Sequence, residues 1–218
     1  MATTVLVFSD THLTHRPDPR KLGFLLEILR QADTVAINGD FWDSCLTDIE
    51  RFVGAPAWQP LFQTLKEKEA VYLYGNHDPA DACQGGENAF SSSQRSIYRF
   101  TQAGRQFQLE HGDRIAPDID AAYAALPRFV HAIGSRADNL GTRLGGQRFL
   151  RRYRAVNERM RTWQSQNLDP GSYLVCGHSH YAELSKVPRY ANSGSIRGRI
   201  GSYLLIQGGE VRLRVSHY

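Results

Sequence analysis

Five short segments of the chain carry side chains able to bind metal ions: Asp10-Thr11-His12, Gly39-Asp40, Gly75-Asn76-His77-Asp78, His111-Gly112-Asp113 and Gly177-His178-Ser179-His180. Their donors are carboxylate and amide oxygens and imidazole nitrogens, with no thiolate among them. Such a set suits Mn²⁺, Fe or Zn²⁺ better than a structural cysteine-zinc site does. Taken singly, each segment reads as a turn, because Gly-Asn and Gly-Asp mark tight turns. Taken jointly and in this order, they read as a centre built around two cations.

What must position them is a set of strand ends. Each segment follows a short apolar run rich in β-branched residues, at 3–8, 34–37, 70–74, 107–109 and 172–176. Runs of this kind read as buried strands. In open α/β sheets, ligand crevices form at the carboxyl ends of strands. Helical patterns at 19–31 and 57–68 alternate with the first strands, which implies right-handed parallel crossovers. Residues 96–101 and 105–109 read as a hairpin around Ala103-Gly104. Short strands are expected at 182–187, 190–192, 202–206 and 211–215, the last two joined across Gly208-Gly209. An α/β chain of two mixed sheets, packed face to face and flanked by helices, fits this order.

At 218 residues the chain can bury a substantial core, and one domain spanning 1–218 is expected, with no linker, repeat or low-complexity stretch. No apolar stretch approaches the ~18–20 residues of a membrane span, and residues 1–4 show neither the basic start nor the cleavage site of a signal peptide. The expected compartment is the cytoplasm. Cys45, Cys83 and Cys176 are widely separated, and an odd count argues against a disulfide framework. His15, His131 and His217 match no motif position and are expected to be solvated or incidental. Phe41-Trp42-Asp43 reads as pocket wall or as core packing, and 192–195 as a turn that could offer backbone donors.

Between Pro117 and Pro170 lie nine Arg, no Lys and five acidic residues, a balance of +4 that equals the net charge of the whole chain. Apolar residues recur at Ile119, Tyr123, Leu126, Val130 and Ile133, and again at Phe149, Tyr153, Val156, Met160 and Trp163. Steps of three and four are helical, so a helical cap insert is expected over about 117–170, as two amphipathic helices joined near 134–146, with Pro127 beginning or kinking one. In a cap over the site, Arg148, Arg151, Arg152 and Arg154 are candidates to meet a substrate phosphate, because the guanidinium fork binds phosphate at two points. The alternative is a solvated basic face. The expected partner is a phosphorylated small molecule or a nucleotide-linked lipid. A pI near 9.0 leaves nucleic acid open without favouring it, since no wide basic stripe is visible, and peripheral membrane contact also stays open.

In order and type, the five segments resemble the signature of the calcineurin-like metallophosphoesterases, D-x-H, G-D, G-N-H-[DE], H and G-H-x-H, from Phe8 through the strands after His180. The resemblance implies a four-layer αββα sandwich and two divalent ions, with manganese expected and iron or zinc as alternatives. One ion would be held by Asp10, His12, Asp40 and His180, the other by Asp40, Asn76, His111 and His178. Asp40 would bridge them, since cations roughly 3.5–4 Å apart need a shared anion. The implied reaction is hydrolysis of a phosphoester or pyrophosphate bond by a water or hydroxide bridging the two ions. His77 would stabilise or protonate the leaving oxygen, and Asp78 would orient His77. A non-catalytic scaffold of the same fold is the other class of answer; degenerate ligands would mark it, and here every ligand position and His77 is intact. Within the superfamily, the insert and the run Asp120-Ala-Ala-Tyr123 resemble UDP-2,3-diacylglucosamine pyrophosphohydrolase of lipid A synthesis. That resemblance implies substrate contacts at Asp120, Tyr123, Arg154 and Asn157. The chain departs from that family at His77, where Arg is usual, and at Tyr181-Ala182, where Arg-Pro is usual.

Overall fold

The computed structural model describes residues 3–117 and 127–218. Strands β1 (Val5–Phe8), β2 (Thr34–Asn38), β3 (Val71–Leu73) and β4 (Ser93–Arg95) pair in parallel in that order. Their crossovers carry helices α1 (Pro19–Leu29), α2 (Ile49–Val53), α3 (Gln59–Glu67) and the single turn α4 (Ala80–Cys83). The start of α1 is written locally: Asp18 accepts from the Arg20 and Lys21 N–H groups and proline occupies the first helical position. Its Phe24, Leu25, Ile28 and Leu29 then form one buried face.

The second sheet runs β5 (Tyr98–Gln102), β6 (Arg105–Leu109), β7 (Tyr173–Cys176), β9 (Arg189–Asn192) and β8 (Glu183–Lys186), with β6, β7 and β9 parallel. The chain then returns to the first sheet. Strand β11 (Ile200–Gln207) lies antiparallel to β1 and also pairs with β10 (Ile196–Arg197) and β12 (Glu210–His217).

Strand alternation decides the layers. Val5 and Val7 pack with Phe107, Leu109, Tyr173 and Val175 in the core between the sheets. Leu6 and Phe8, one residue out of phase, pack with Phe24, Leu25 and Ile28 of α1 and Leu61 and Phe62 of α3. Leu174 and Cys176 face outward from the second sheet onto Val156 and Met160 of α6 (Arg154–Asn167). The result is the expected four-layer αββα sandwich. No helix among the described residues is long and apolar enough to cross a membrane.

The insert differs from expectation in two ways. Helix α5 (Arg128–Leu150) runs through Gly134, Gly141 and Gly145, where a joint was expected, and breaks only at Gly146, whose φ is 56° and ψ −142°. Glycine costs a helix roughly 1 kcal/mol against alanine, too little to end a helix that tertiary packing supports. The second helix, α6, is the outer layer of the second sheet and so belongs to the sandwich and not to a cap. Ile119, Asp120, Tyr123 and Leu126 lie outside the described residues.

Candidate metal centre

The five segments meet at the carboxyl ends of β1, β2, β3, β6 and β7. Beyond β1 and β2 the chain leaves the sheet but keeps pairing: the N–H groups of Asp10, His12 and Leu13 donate to the carbonyls of Gly39, Asp40 and Phe41. Asp10, His12, Asp40, His178 and His180 all adopt left-handed backbone angles, with φ between 44° and 66°. Non-glycine residues pay for that conformation and cluster at functional sites when the surroundings over-determine it. Gly39 is needed for a second reason besides its φ of 84°: a Cβ there would run into the His111 ring.

Ligand atoms of Asp10, His12, Asp40 and His180 lie within 4.8 Å of one another. His12 Nε2 and His180 Nε2 face each other at 3.2 Å, Asp10 Oδ1 stands 3.3 Å from His180 Nε2, and Asp40 Oδ2 stands 3.6 Å from His12 Nε2. The other oxygen of Asp10 accepts from the His178 N–H and the Ser9 hydroxyl. Oδ1 is buried without a hydrogen-bond partner among the described residues. A carboxylate oxygen and two imidazole nitrogens aimed at one point are the donor set a divalent cation satisfies.

A second group adjoins the first through Asp40. Asp40 Oδ2 is 3.4 Å from His111 Nε2, and Asn76 Oδ1 is 3.1 Å from His111 Nε2 and 3.0 Å from His178 Nδ1. The far nitrogens are held by carbonyls: His111 Nδ1 lies 2.8 Å from the Asn38 oxygen and His178 Nε2 lies 3.1 Å from the Ala116 oxygen. With those nitrogens donating to carbonyls, the other nitrogen of each ring faces the site. All seven expected ligand residues are thus brought together around Asp40.

The roles around His77 are redistributed. Asp78 does not orient His77, because its carboxylate accepts from the backbone N–H groups of Asp40, Phe41, Trp42 and Gly75 and so clamps the β2 and β3 loops together. The imidazole meets Asp43 instead, with His77 Nδ1 3.4 Å from Asp43 Oδ1. Burial works against a charge on His77, but the Asp40 and Asp43 carboxylates outweigh it and push its pKa up to about 12. Asp43 is in turn held ionised: burial would raise it, and hydrogen bonding to His12 and His77 brings it below the usual carboxylate range. The aromatic pair beside it is core, since Phe41 and Trp42 are fully buried. The turn at Asn192–Ser195 buttresses the first loop: Ser193 Oγ is 2.7 Å from Ser9 Oγ and the Ile196 N–H donates to the Asp10 carbonyl.

A cavity of about 310 Å³ opens over these residues, walled by His12, Asp40, Asn76, His77, His178 and His180 on the sheet side. Helix α5 covers it with His131, Gly134, Ser135 and Asp138, and Tyr153 and Arg197 complete the wall. Arg148, Arg151, Arg152 and Arg154 are exposed and none lines this cavity. Arg152 instead pairs with Asp138 at 2.5 Å and lies over the Phe149 ring. Asn157 is fully buried, its Oδ1 accepting from Ser179, Tyr190 and Asn192, so it shapes the loop between His178 and His180 without facing the cavity. His131, expected to be incidental, is 4% exposed and lines the cavity. Arg197 was not anticipated either; it lies in no motif and its signal is only that a charged residue follows the apolar Ile196 in a short late strand.

No curated protein matches the chain. The fold is shared with Vps29 of Entamoeba histolytica, both as a single mutant (16% identity, 99% of each chain, TM-score 0.51) and as the wild type complexed with Zn²⁺ (15% identity, 98% of each chain, TM-score 0.50). The E. coli phosphoesterase YfcE is also similar, at 17% identity over 93% of this chain and 87% of that one, with a TM-score of 0.49. The sequence matches the family described as the calcineurin-like phosphoesterase superfamily domain over residues 4–207. With that match spanning nearly its whole length, the chain belongs to the calcineurin-like phosphoesterase superfamily.

Proposed function

We propose that the protein is an active hydrolase of phosphoesters that works with two divalent ions. The observation that carries this reading is the donor set gathered around Asp40, in which Asp10 Oδ1 is buried, without a hydrogen-bond partner among the described residues, and 3.3 Å from His180 Nε2. One ion falls to Asp10, His12, Asp40 and His180, the other to Asp40, Asn76, His111 and His178. Bound there, the ions would supply Lewis acidity and a nucleophilic water at neutral pH. Oxygen and nitrogen donors without a thiolate favour manganese, with iron and zinc as alternatives. His77, held by Asp43, presents an imidazole on the cavity wall where a leaving oxygen gains charge. Asp43 takes the orienting role that the sequence suggested for Asp78.

The lipid substrate has less support. Arg154 is exposed and Asn157 is locked in a buried network, so neither reaches the cavity as that resemblance implied, and Asp120 and Tyr123 lie outside the described residues. The test is hydrolysis by Mn²⁺-loaded protein of p-nitrophenyl phosphate, bis-p-nitrophenyl phosphate and UDP-diacylglucosamine, with Asp40→Ala as control. Turnover that vanishes in Asp40→Ala is expected, and His77→Ala should keep its metals while losing turnover. A wild-type protein that binds the ions and cleaves none of the three would favour a scaffold.

A further inference from the structure

Beside the metal cavity lies a second one of about 410 Å³, which shares His12 and Ser135 with the first. Its wall carries Arg16, Lys21, Arg143 and Arg199 against one acidic side chain, Asp18, and the last residue, Tyr218, and Asp18 is occupied by the N-terminal N–H groups of α1. Among the described residues, none of these three arginines is paired with a carboxylate. The annex is therefore strongly cationic, and it is built by the tertiary fold. Gly198, with φ of 56°, seats the β10–β11 turn against α5 so closely that a Cβ would come within 2.5 Å of the Asn139 carbonyl. Asn139 Oδ1 accepts from the Gly198 N–H, which holds the turn carrying Arg199 against the helix carrying Arg143, and both residues line the cavity.

Arg197 lines the metal cavity and is 5% exposed. Its Nη2 donates to the carbonyl and hydroxyl of Ser135, which lines both cavities, and its buried Nε has no hydrogen-bond partner among the described residues. A buried guanidinium without a carboxylate is costly unless an anion meets it. Lys21, whose Nζ donates to the Thr11 carbonyl, feels the same crowding: burial first, then the Arg197 charge, brings its pKa down to about 7. Both observations describe a place short of one anion.

We propose that this annex is a subsite for a second phosphate of the substrate, with Arg197 between the two phosphate positions, so that the protein acts on bisphosphorylated small molecules. The proposal rests on the phosphoesterase reading for the first phosphate. Forked guanidinium groups from three elements suit a phosphate better than a single carboxylate, because they can donate to several oxygens at once.

Binding, and not turnover, is the clean test. Calorimetry on the Mn²⁺-loaded protein would compare a graded series of alkylene bisphosphonates with the matching alkyl monophosphonates, whose C–P bonds resist hydrolysis. At least one bisphosphonate should bind about tenfold to hundredfold tighter than its monophosphonate, the worth of one or two charge-assisted hydrogen bonds. Arg143→Gln and Arg199→Gln, at exposed and half-buried positions, should remove that gain and leave monophosphonate affinity unchanged. No gain across the series, or a gain that survives both substitutions, overturns the subsite. Failure of the phosphoesterase reading would appear separately, as absent hydrolysis of p-nitrophenyl phosphate.

Discussion

Asn157 offers a quantitative test of how the metal loops are held. Its Oδ1 accepts from Ser179 Oγ at 2.6 Å, Tyr190 Oη at 3.1 Å and Asn192 Nδ2 at 3.1 Å. Its Nδ2 donates to the Tyr181 carbonyl at 3.0 Å and Glu183 Oε2 at 2.9 Å. In Asn157→Ala, Asn192 still donates to the Gly177 carbonyl and Glu183 still pairs with Arg161. The Ser179 hydroxyl loses its acceptor among the described residues, while the Tyr190 hydroxyl keeps the Met160 sulfur at 3.3 Å. Stranding a buried donor costs about 1–3 kcal/mol, so the loss, with the small cavity left behind, should lower stability by about 2–4 kcal/mol. Urea unfolding of the metal-free protein reads this as a lower midpoint at unchanged slope. Because Ser179 sits between His178 and His180, metal affinity should also fall, by about 10- to 100-fold as for other residues that orient ligands. A stability loss under about 1 kcal/mol with unchanged metal affinity would refute the claim that this network sets the loop.

Three further substitutions probe the site from other sides. Gly39→Ala should push the His111 ring away from the Asn38 carbonyl and lower metal stoichiometry by mass spectrometry while far-ultraviolet dichroism stays the same; full stoichiometry would show that His111 tolerates the shift. Asp43→Asn should bring the His77 pKa in metal-free protein down from about 12, followed by proton resonance. The sign is fixed by linkage: a raised histidine contributes stability that is whole below its unfolded pKa of about 6.5 and lost as pH rises toward the folded value. Metal-free wild type should therefore weaken on the alkaline side, and Asp43→Asn should flatten that slope; equal slopes would count against the Asp43 contact. Gly198→Ala should cost about 1–3 kcal/mol through its left-handed angle and its contact with α5, and speed hydrogen exchange along α5 before the rest of the chain opens; uniform exchange would show that the turn does not anchor that helix.

How much of this was legible in the sequence depends on the range of the signal. The residues that gather at the site were legible because each sits two to four residues past a strand whose apolar run is local, and because the Gly-Asp and Gly-His pairs mark where the backbone must turn. The sandwich was legible for the same reason: Val5 and Val7 alternate with Leu6 and Phe8, and both faces are apolar, as a doubly covered parallel strand requires. Strand β4, Ser93–Arg95, was not, since three polar residues give no apolar period and it forms by pairing with β3. Glycines at 134, 141 and 145 looked like a joint in α5 because propensity is a weak prior that tertiary contact overrides. Arg197 and His131 were missed because they reach the cavity from a late strand and a covering helix, neither of which has a motif to mark it.

Asp78, read as orienting His77, and Asn157, read by resemblance as a substrate contact, both serve the frame instead. Asp10, His12, Asp40, His178 and His180 occupy left-handed turns that only a rigid frame can hold. Polar residues in and beside the five segments turn inward and supply that frame. Asp78 does so with four backbone N–H groups, Ser9 with Asp10 and Ser193, and Asn157 with Ser179. Asp78 commits its carboxylate to backbone N–H groups, whereas Asp10 and Arg197, each held on one side by backbone contacts, keep one buried atom, Oδ1 and Nε, without a hydrogen-bond partner among the described residues. The distinction is measurable, since a frame residue should move stability and metal affinity together, whereas a residue reserved for ligand should move binding and leave the unfolding midpoint of the free protein unchanged or raised.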